Sequence, residues 1–178
     1  MEIKILDLIQ TIHTPIGDTI MCFLTSLGNA GVIWIVLTIV LLLIPRTRKT
    51  GCIVMTALLL DLILCNGILK NAVARIRPCD VNTAVQLLVP RPEDYSFPSG
   101  HTAASFAATA ALFFAGEKKL WKPALVLAVL IAFSRLYLYV HYPTDILGGM
   151  LVGIFCGYAG KQVVEWFLRR KQGKRQTA

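Results

Sequence analysis

Acidic side chains are scarce. Ten Asp and Glu stand against eighteen Lys and Arg among 178 residues, and they form no cluster, so a site of grouped carboxylates around a divalent cation is not expected. The five cysteines, Cys22, Cys52, Cys65, Cys79 and Cys156, show neither metal-ligand spacing nor a disulfide framework. Four lie in apolar stretches and read as small buried side chains, whereas Cys79 sits among polar residues, where a reactive thiol is the other reading. Internal repeats and low-complexity tracts are absent, which excludes a solenoid. A plausible signal-peptide cleavage site is also missing, because Glu2, Lys4 and Asp7 precede any long apolar run.

Apolar residues fill the space these absences leave. They make up 56% of the chain, above the roughly 45–50% of ordinary soluble domains, and the mean hydropathy is +0.65. Several stretches approach the ~20 residues that cross a bilayer. The expectation is an integral membrane protein, all-α, a bundle of five or six spans with N-terminal interfacial helices. A single membrane-embedded domain, 1–178, leaves no room for a second soluble one.

The net charge of +8 would suggest a nucleic-acid partner in a soluble protein, but its placement argues against one. Arg46, Arg48 and Lys49 follow one apolar stretch, and Lys118, Lys119 and Lys122 separate two others. Arg169, Arg170, Lys171, Lys174 and Arg175 form a basic tail, 169–178. Such flanks face the cytoplasm and meet anionic headgroups. Membrane lipids are the expected neighbours.

Residues 1 to about 27 mix apolar and charged positions and read as one or two interfacial helices. Gly28-Asn29-Ala30-Gly31 breaks the next stretch, putting the first span near 30–44. The second runs from about Gly51 to Leu69 and is expected to continue as helix toward Arg77, where Pro78 ends it. A Pro-rich loop, 78–98, is polar enough to lie outside the bilayer and is a candidate lid. Further spans are expected from Ser99 to just before Gly116, from about Leu120 to Tyr139, and from about Pro143 to Phe167. Counting turns puts every basic connection at one end and three polar clusters at the other, the outward-facing one.

Those clusters carry the chemistry. Lys70 and Arg77, seven apart, would share a helix face about 10 Å apart along the axis and reach one anion; alternatively they are two cations snorkelling to headgroups. Pro98-Ser99-Gly100-His101 precedes an apolar run, so Ser99 is a natural N-cap and the free N–H groups behind it suit a phosphate. His101 beside such an anion can protonate a leaving oxygen, unless the segment is only a cap with an incidental histidine. Arg135 ends a span, His141 follows, and Pro143 starts a helix whose first turn holds Asp145. A carboxylate there can hold one nitrogen of His141 and free the other to attack phosphorus. A surface His and Asp pair is the plain alternative.

In order, the clusters read Lys-x6-Arg-Pro, Pro-Ser-Gly-His and Ser-Arg-x5-His-x3-Asp. This resembles the tripartite signature of the type 2 phosphatidic acid phosphatase superfamily, with every signature position present. The resemblance implies that Lys70, Arg77, Arg135, Ser99 and the Gly100 backbone cradle a phosphoryl group. It further implies that His141 is the nucleophile, held by Asp145, and that His101 is the proton donor. No metal and no cofactor is implied, since cationic side chains offset the charge. The implied activity is that of a membrane lipid phosphatase working through a phosphohistidine on a lipid phosphate. Undecaprenyl diphosphate is favoured, and phosphatidylglycerophosphate or phosphatidate is the alternative. A lipid phosphotransferase and a non-catalytic lipid-phosphate binder stay open.

Other residues are set aside. Asp61, in mid-span, is half a helical turn from Lys70 and reads as a buried structural partner, with Asn66 a candidate mate. His13 reads as a surface histidine, and Arg75 and Arg91 as steering or solvated cations. Trp34, Trp121, Tyr137, Tyr139 and Trp166 lie mostly near span ends, as interface belts predict.

Overall fold

The computed structural model describes residues 1–176, with side chains through Gln172; of the basic tail, 177–178 and the side chains of 173–178 lie outside the described residues. Every regular element among them is helical: α1 (Glu2–Gln10), α2 (Pro15–Gly28), α3 (Val32–Leu43), α4 (Arg48–Asp61), α5 (Lys70–Val73), α6 (Pro78–Val81), α7 (Gly100–Ala115), α8 (Trp121–Tyr137) and α9 (Pro143–Gln176). A π-helical stretch, Leu62–Leu69, joins α4 to α5.

Local chemistry explains where the helices start and stop. Thr14 Oγ1 accepts from Gly17 N at 3.1 Å and Pro15 opens α2, so that helix has both a cap and a preset first residue. The expected break follows it, because Ala30 (φ 50°) and Gly31 (φ 68°) are left-handed. Across this kink α2 runs on into α3. Pro15–Leu43 is thereby one of three stretches among the described residues long and apolar enough to cross a membrane, with Pro45–Val81 and Pro143–Gln172, a continuity that the interfacial reading of residues 1 to about 27 does not include.

Helices α7 and α8, with 16 and 17 residues, are about 24–26 Å long at 1.5 Å per residue, a little under the bilayer core. α7 is the centre of the bundle, packed by α4, α8 and α9. Its Ala103, Ala107, Ala108, Ala111 and Leu112 are fully buried. Close packing against α9 rests on a stripe of Gly149, Gly153 and Gly157. A Cβ at Gly153 would lie 2.4 Å from Ala103 O, and one at Gly157 2.6 Å from Ala110 Cβ. Small residues at four-residue spacing let two helix backbones touch where lipid tails supply no hydrophobic driving force. Outward-facing Ile35, Ile39, Leu59, Leu151 and Phe155 are exposed, as a hydrocarbon solvent requires.

The two ends of the bundle differ. At one, Thr50 donates to Glu117 at 2.8 Å and Lys49 pairs with Glu165 at 3.2 Å, bringing together the basic connections. At the other gather α5, α6, the 82–99 loop, the C-terminus of α8 and the N-termini of α7 and α9.

Three expectations change. Lys70 and Arg77 do not share a helix: α5 stops at Val73, Ala74 is left-handed (φ 49°), and Arg77 is the extended residue before α6. Pro78 therefore opens a helix instead of closing one. Asp61 is brought round to the cavity that Lys70 lines, because a π turn takes up more residues than an α turn and removes the half-turn offset. No hydrogen bond joins it to Asn66 among the described residues, and its Oδ1 is unpartnered. Finally, Trp34, Tyr137 and Tyr139 are buried and tie helices together by donating to Ser105, Asp18 and Asp7 at 2.7–2.9 Å, unlike the half-exposed Trp166. His13 stacks on Tyr137 at 3.9 Å and contacts Asp18, so it too is structural. Cys65, Cys79 and Cys156 are buried, Cys22 and Cys52 partly so, and all five are free.

Candidate active site

A cavity of about 560 Å³ has its charged wall at the end of the bundle away from the basic connections. Its polar wall gathers Lys70, Arg77, Gly100, His101, Arg135 and His141 from four separate parts of the chain. Each arrives for a local reason. The π stretch and α5 deliver Lys70, and the left-handed turn at Ala74 folds Arg77 back beside it. The first turn of α7 supplies Gly100 and His101, and the last turn of α8 supplies Arg135. His141 sits in the five-residue connection to α9, nearly inaccessible to solvent.

Arg77 is the most heavily bonded of the cations. Its Nε donates to Asp94 O at 2.8 Å, and its Nη1 donates to Val140 O at 2.7 Å and to His141 Nε2 at 3.1 Å. As acceptor of that bond, Nε2 is the unprotonated nitrogen, with its lone pair directed at Arg77. On the other side of the ring Nδ1 stands 3.4 Å from Asp145 Oδ2, an electrostatic contact rather than a formed hydrogen bond; such contacts tighten when substrate fills a site. Burial, reinforced by Arg77 and Arg135 and opposed by Asp145, pushes His141 down to about 3, so the imidazole is neutral and nucleophilic at neutral pH.

Asp145 lies behind the histidine, away from the cavity wall. Its Oδ2 accepts from Ser96 Oγ and, at 2.8 Å, from Tyr142 N. Arg135 donates to Thr25 Oγ1 at 2.6 Å, while its buried Nε has no partner among the described residues. His101 Nε2 meets Asn29 Oδ1 at 2.9 Å, and the ring fits there because residue 28 is glycine: a Cβ would lie 2.7 Å from His101 Cδ2. Ser99 does precede the first residue of α7, but its hydroxyl accepts from Thr102 Oγ1 at 3.0 Å and makes no capping bond. It is fully buried beneath the cavity instead of lining it.

Sequence reasoning missed Asp94. Its carboxylate bridges Lys70 Nζ and Arg77 Nη2, so an anion from the 82–99 loop offsets the repulsion between these two cations and holds both at the cavity wall. Although partial burial opposes it, these two cations bring the carboxyl down to about 2. The adjacent acids Glu93 and Asp94, five and four residues ahead of Pro98 in a loop between two motifs, were the available signal. Asn29, Asn66 and Thr25 were unreadable, since nothing local distinguishes them from other polar residues in apolar helices.

An imidazole backed by a carboxylate, a second histidine, three cations and a helix N-terminus around one opening suit transfer of a phosphoryl group. Residues 50–169 match the PAP2 superfamily. The chain belongs to the PAP2 superfamily. It is 33% identical to an undecaprenyl-diphosphatase of Sulfolobus acidocaldarius over 81% of this chain and 69% of the relative. Phosphatidylglycerophosphatase B of Bacillus subtilis is 31% identical over 90% of this chain and 82% of its own length. The crystal structure of Aquifex aeolicus LpxE superimposes with a TM-score of 0.78 at 26% identity, covering 90% of this chain and 94% of that one. This PAP2 chain is a membrane-embedded phosphatase.

Proposed function

We propose that the protein removes the terminal phosphate of a lipid phosphate, and that the lipid is undecaprenyl diphosphate. One observation carries this reading: the cavity is charged at one end only. From Lys70, Arg77, Arg135 and His141 it continues between α3 and α4, where Ile35, Ile39 and Leu42 face Met55, Leu58 and Leu59. From Gly31 to Leu42 α3 rises about 17 Å, room for a long stretch of hydrocarbon chain beside a phosphate. Ile35, Ile39 and Leu59 are also exposed on the outer surface, so a chain can enter sideways from the bilayer. The relative from Sulfolobus acidocaldarius bears the matching name.

The site residues then take these roles. Lys70, Arg77 and Arg135, with the Gly100 N–H, hold the phosphoryl oxygens, and buried Ser99 shapes that helix start. His141 Nε2 attacks phosphorus as the bond to the leaving oxygen breaks, and His101 gives that oxygen a proton. Water, deprotonated by His101, then attacks the phosphohistidine and releases inorganic phosphate. Asp145 holds the Nδ1 proton throughout. The site faces away from the cytoplasm and the C-terminus faces into it, because the basic connections gather at the opposite end.

A glycerophospholipid phosphate such as phosphatidylglycerophosphate is the second reading. Asn66 and Asp61 on the cavity wall can accept from a glycerol hydroxyl, which a prenyl chain lacks. Purified protein offered both lipids, with chelator present, separates the two by phosphate release. Turnover is expected without added metal and, in His141→Ala, reduced at least about 10³-fold. Undiminished turnover in that variant would overturn the mechanism, and a phosphorylated second lipid in place of free phosphate would make the enzyme a phosphotransferase.

A further inference from the structure

Arg75 points away from the cavity. The left-handed residue Ala74 turns the chain so that Arg75 and Arg77, two apart, serve opposite sides of the same wall. Arg77 reaches the phosphate side. Arg75 Nη1 donates to Asp145 Oδ1 and to Thr144 Oγ1, each at 2.6 Å, and Nη2 donates to Glu2 Oε2 at 2.6 Å. The guanidinium lies 3.9 Å over the Tyr142 ring. Glu2, carried in by α1, in turn accepts from Thr144 N at 3.1 Å and Thr144 Oγ1 at 2.7 Å.

We infer that Arg75 is a positioning residue: clamped by Glu2 on one side and bound to Asp145 on the other, it sets the orientation and charge of the carboxylate that holds His141. The inference rests on His141 being the nucleophile. Asp145 is fully buried, and its Oδ2 serves Ser96, Tyr142 and the histidine. With Oδ1 taken by Arg75, the carboxylate has one orientation. A neutral side chain at 75 would leave Oδ1 buried and unpaired, free to swing away from His141.

Charge gives the second effect. Arg75 draws negative charge toward Oδ1, so the proton shared with His141 stays on Nδ1 and the Nε2 lone pair stays available. Glu2 tempers this by holding half of the guanidinium, leaving Glu2, Arg75 and Asp145 at −1 together. Asp145 therefore still stabilises the charged phosphohistidine. The other groups facing His141 are Arg77, Arg135 and, across the cavity, His101, and none of them touches Oδ1. Arginine is required in preference to lysine because three acceptors and a ring face are met by one planar fork.

The test uses the full chain in detergent with an isoprenoid diphosphate, following kcat, KM, inhibition by vanadate and the acid limb of the kcat profile. In Arg75→Gln, kcat is expected to fall about 10–10²-fold, as for a small misplacement of a reacting group. KM and vanadate inhibition should stay within about threefold, since Arg75 does not line the cavity. Without the cation Asp145 favours the protonated imidazole, so the acid limb moves to higher pH. Arg75→Lys restores the limb and part of kcat. Glu2→Gln, which frees Arg75 to act wholly on Asp145, moves the limb to lower pH, and this opposite shift decides the matter if Arg75→Gln does not fold. An unmoved limb in both Arg75→Gln and Glu2→Gln overturns the inference, as does a loss confined to KM and vanadate binding. If Arg75→Gln is unaffected while His141→Ala is dead, only the positioning role fails; if His141→Ala is active, the proposed function fails first.

Discussion

Two side chains carry the clearest consequences of local conformation. Ala74 adopts φ 49°, ψ 40°, a conformation that costs a residue with a Cβ about 1–2 kcal/mol. Ala74→Gly removes that cost and adds about 0.5–1 kcal/mol of unfolded-chain entropy. A net gain of roughly 0.5–1 kcal/mol is expected, read as a higher midpoint in thermal unfolding. Asp94 supplies the pH dependence. Its carboxyl is held down at about 2 by Lys70 and Arg77, so the ion pairs are fully present above its ordinary value near 3.9 and are lost as pH falls toward 2. Amide protection factors in residues 82–99, corrected for the intrinsic pH dependence of exchange, should fall across that window in wild type. In Asp94→Asn protection should already be low at neutral pH and show no step there.

Among elements, the α7–α9 contact organises the site. Gly149, Gly153 and Gly157 let α9 approach until Asp145 O accepts from Ser99 N at 3.1 Å, which places the two helix N-termini side by side. Gly153→Ala must move one backbone away from the other, costing about 1–3 kcal/mol, and Gly153→Leu is expected to prevent assembly altogether. Unfolding in detergent with a helix-sensitive signal checks both. Existence and approximate bounds of α3, α7, α8 and α9 were legible because apolar runs end at Gly, Pro or Lys/Arg. What escaped sequence reading was the π stretch Leu62–Leu69: no residue in Leu-Ile-Leu-Cys-Asn-Gly-Ile-Leu announces it, and it alone changes which face Asp61 shares with Lys70. The bend at Ala74 escaped for a similar reason, since an alanine is a poor sign of a left-handed turn.

For the whole molecule, charge asymmetry predicts orientation. The end holding Lys49, Thr50, Glu117 and Glu165 lies opposite the charged wall of the cavity. In a background lacking accessible native thiols, Glu93→Cys should react with a membrane-impermeant maleimide on intact cells. Lys171→Cys should react only after permeabilisation. The reverse pattern would place the cavity on the cytoplasmic side and remove the case for a substrate in the outer leaflet.

By itself the sequence determined the solvent and the chemistry. A mean hydropathy of +0.65 demands a membrane because water cannot surround so much apolar surface, and three ordered motifs point to the superfamily whose model matches the chain. Only the tertiary structure decided what stands behind the motif residues. Asp94 across Lys70 and Arg77, Glu2 and Arg75 behind Asp145, and Asn29 on His101 join residues up to 73 positions apart. Such pairs depend on helix phase, a π stretch and one left-handed alanine, which are properties of the packed backbone that no local pattern encodes.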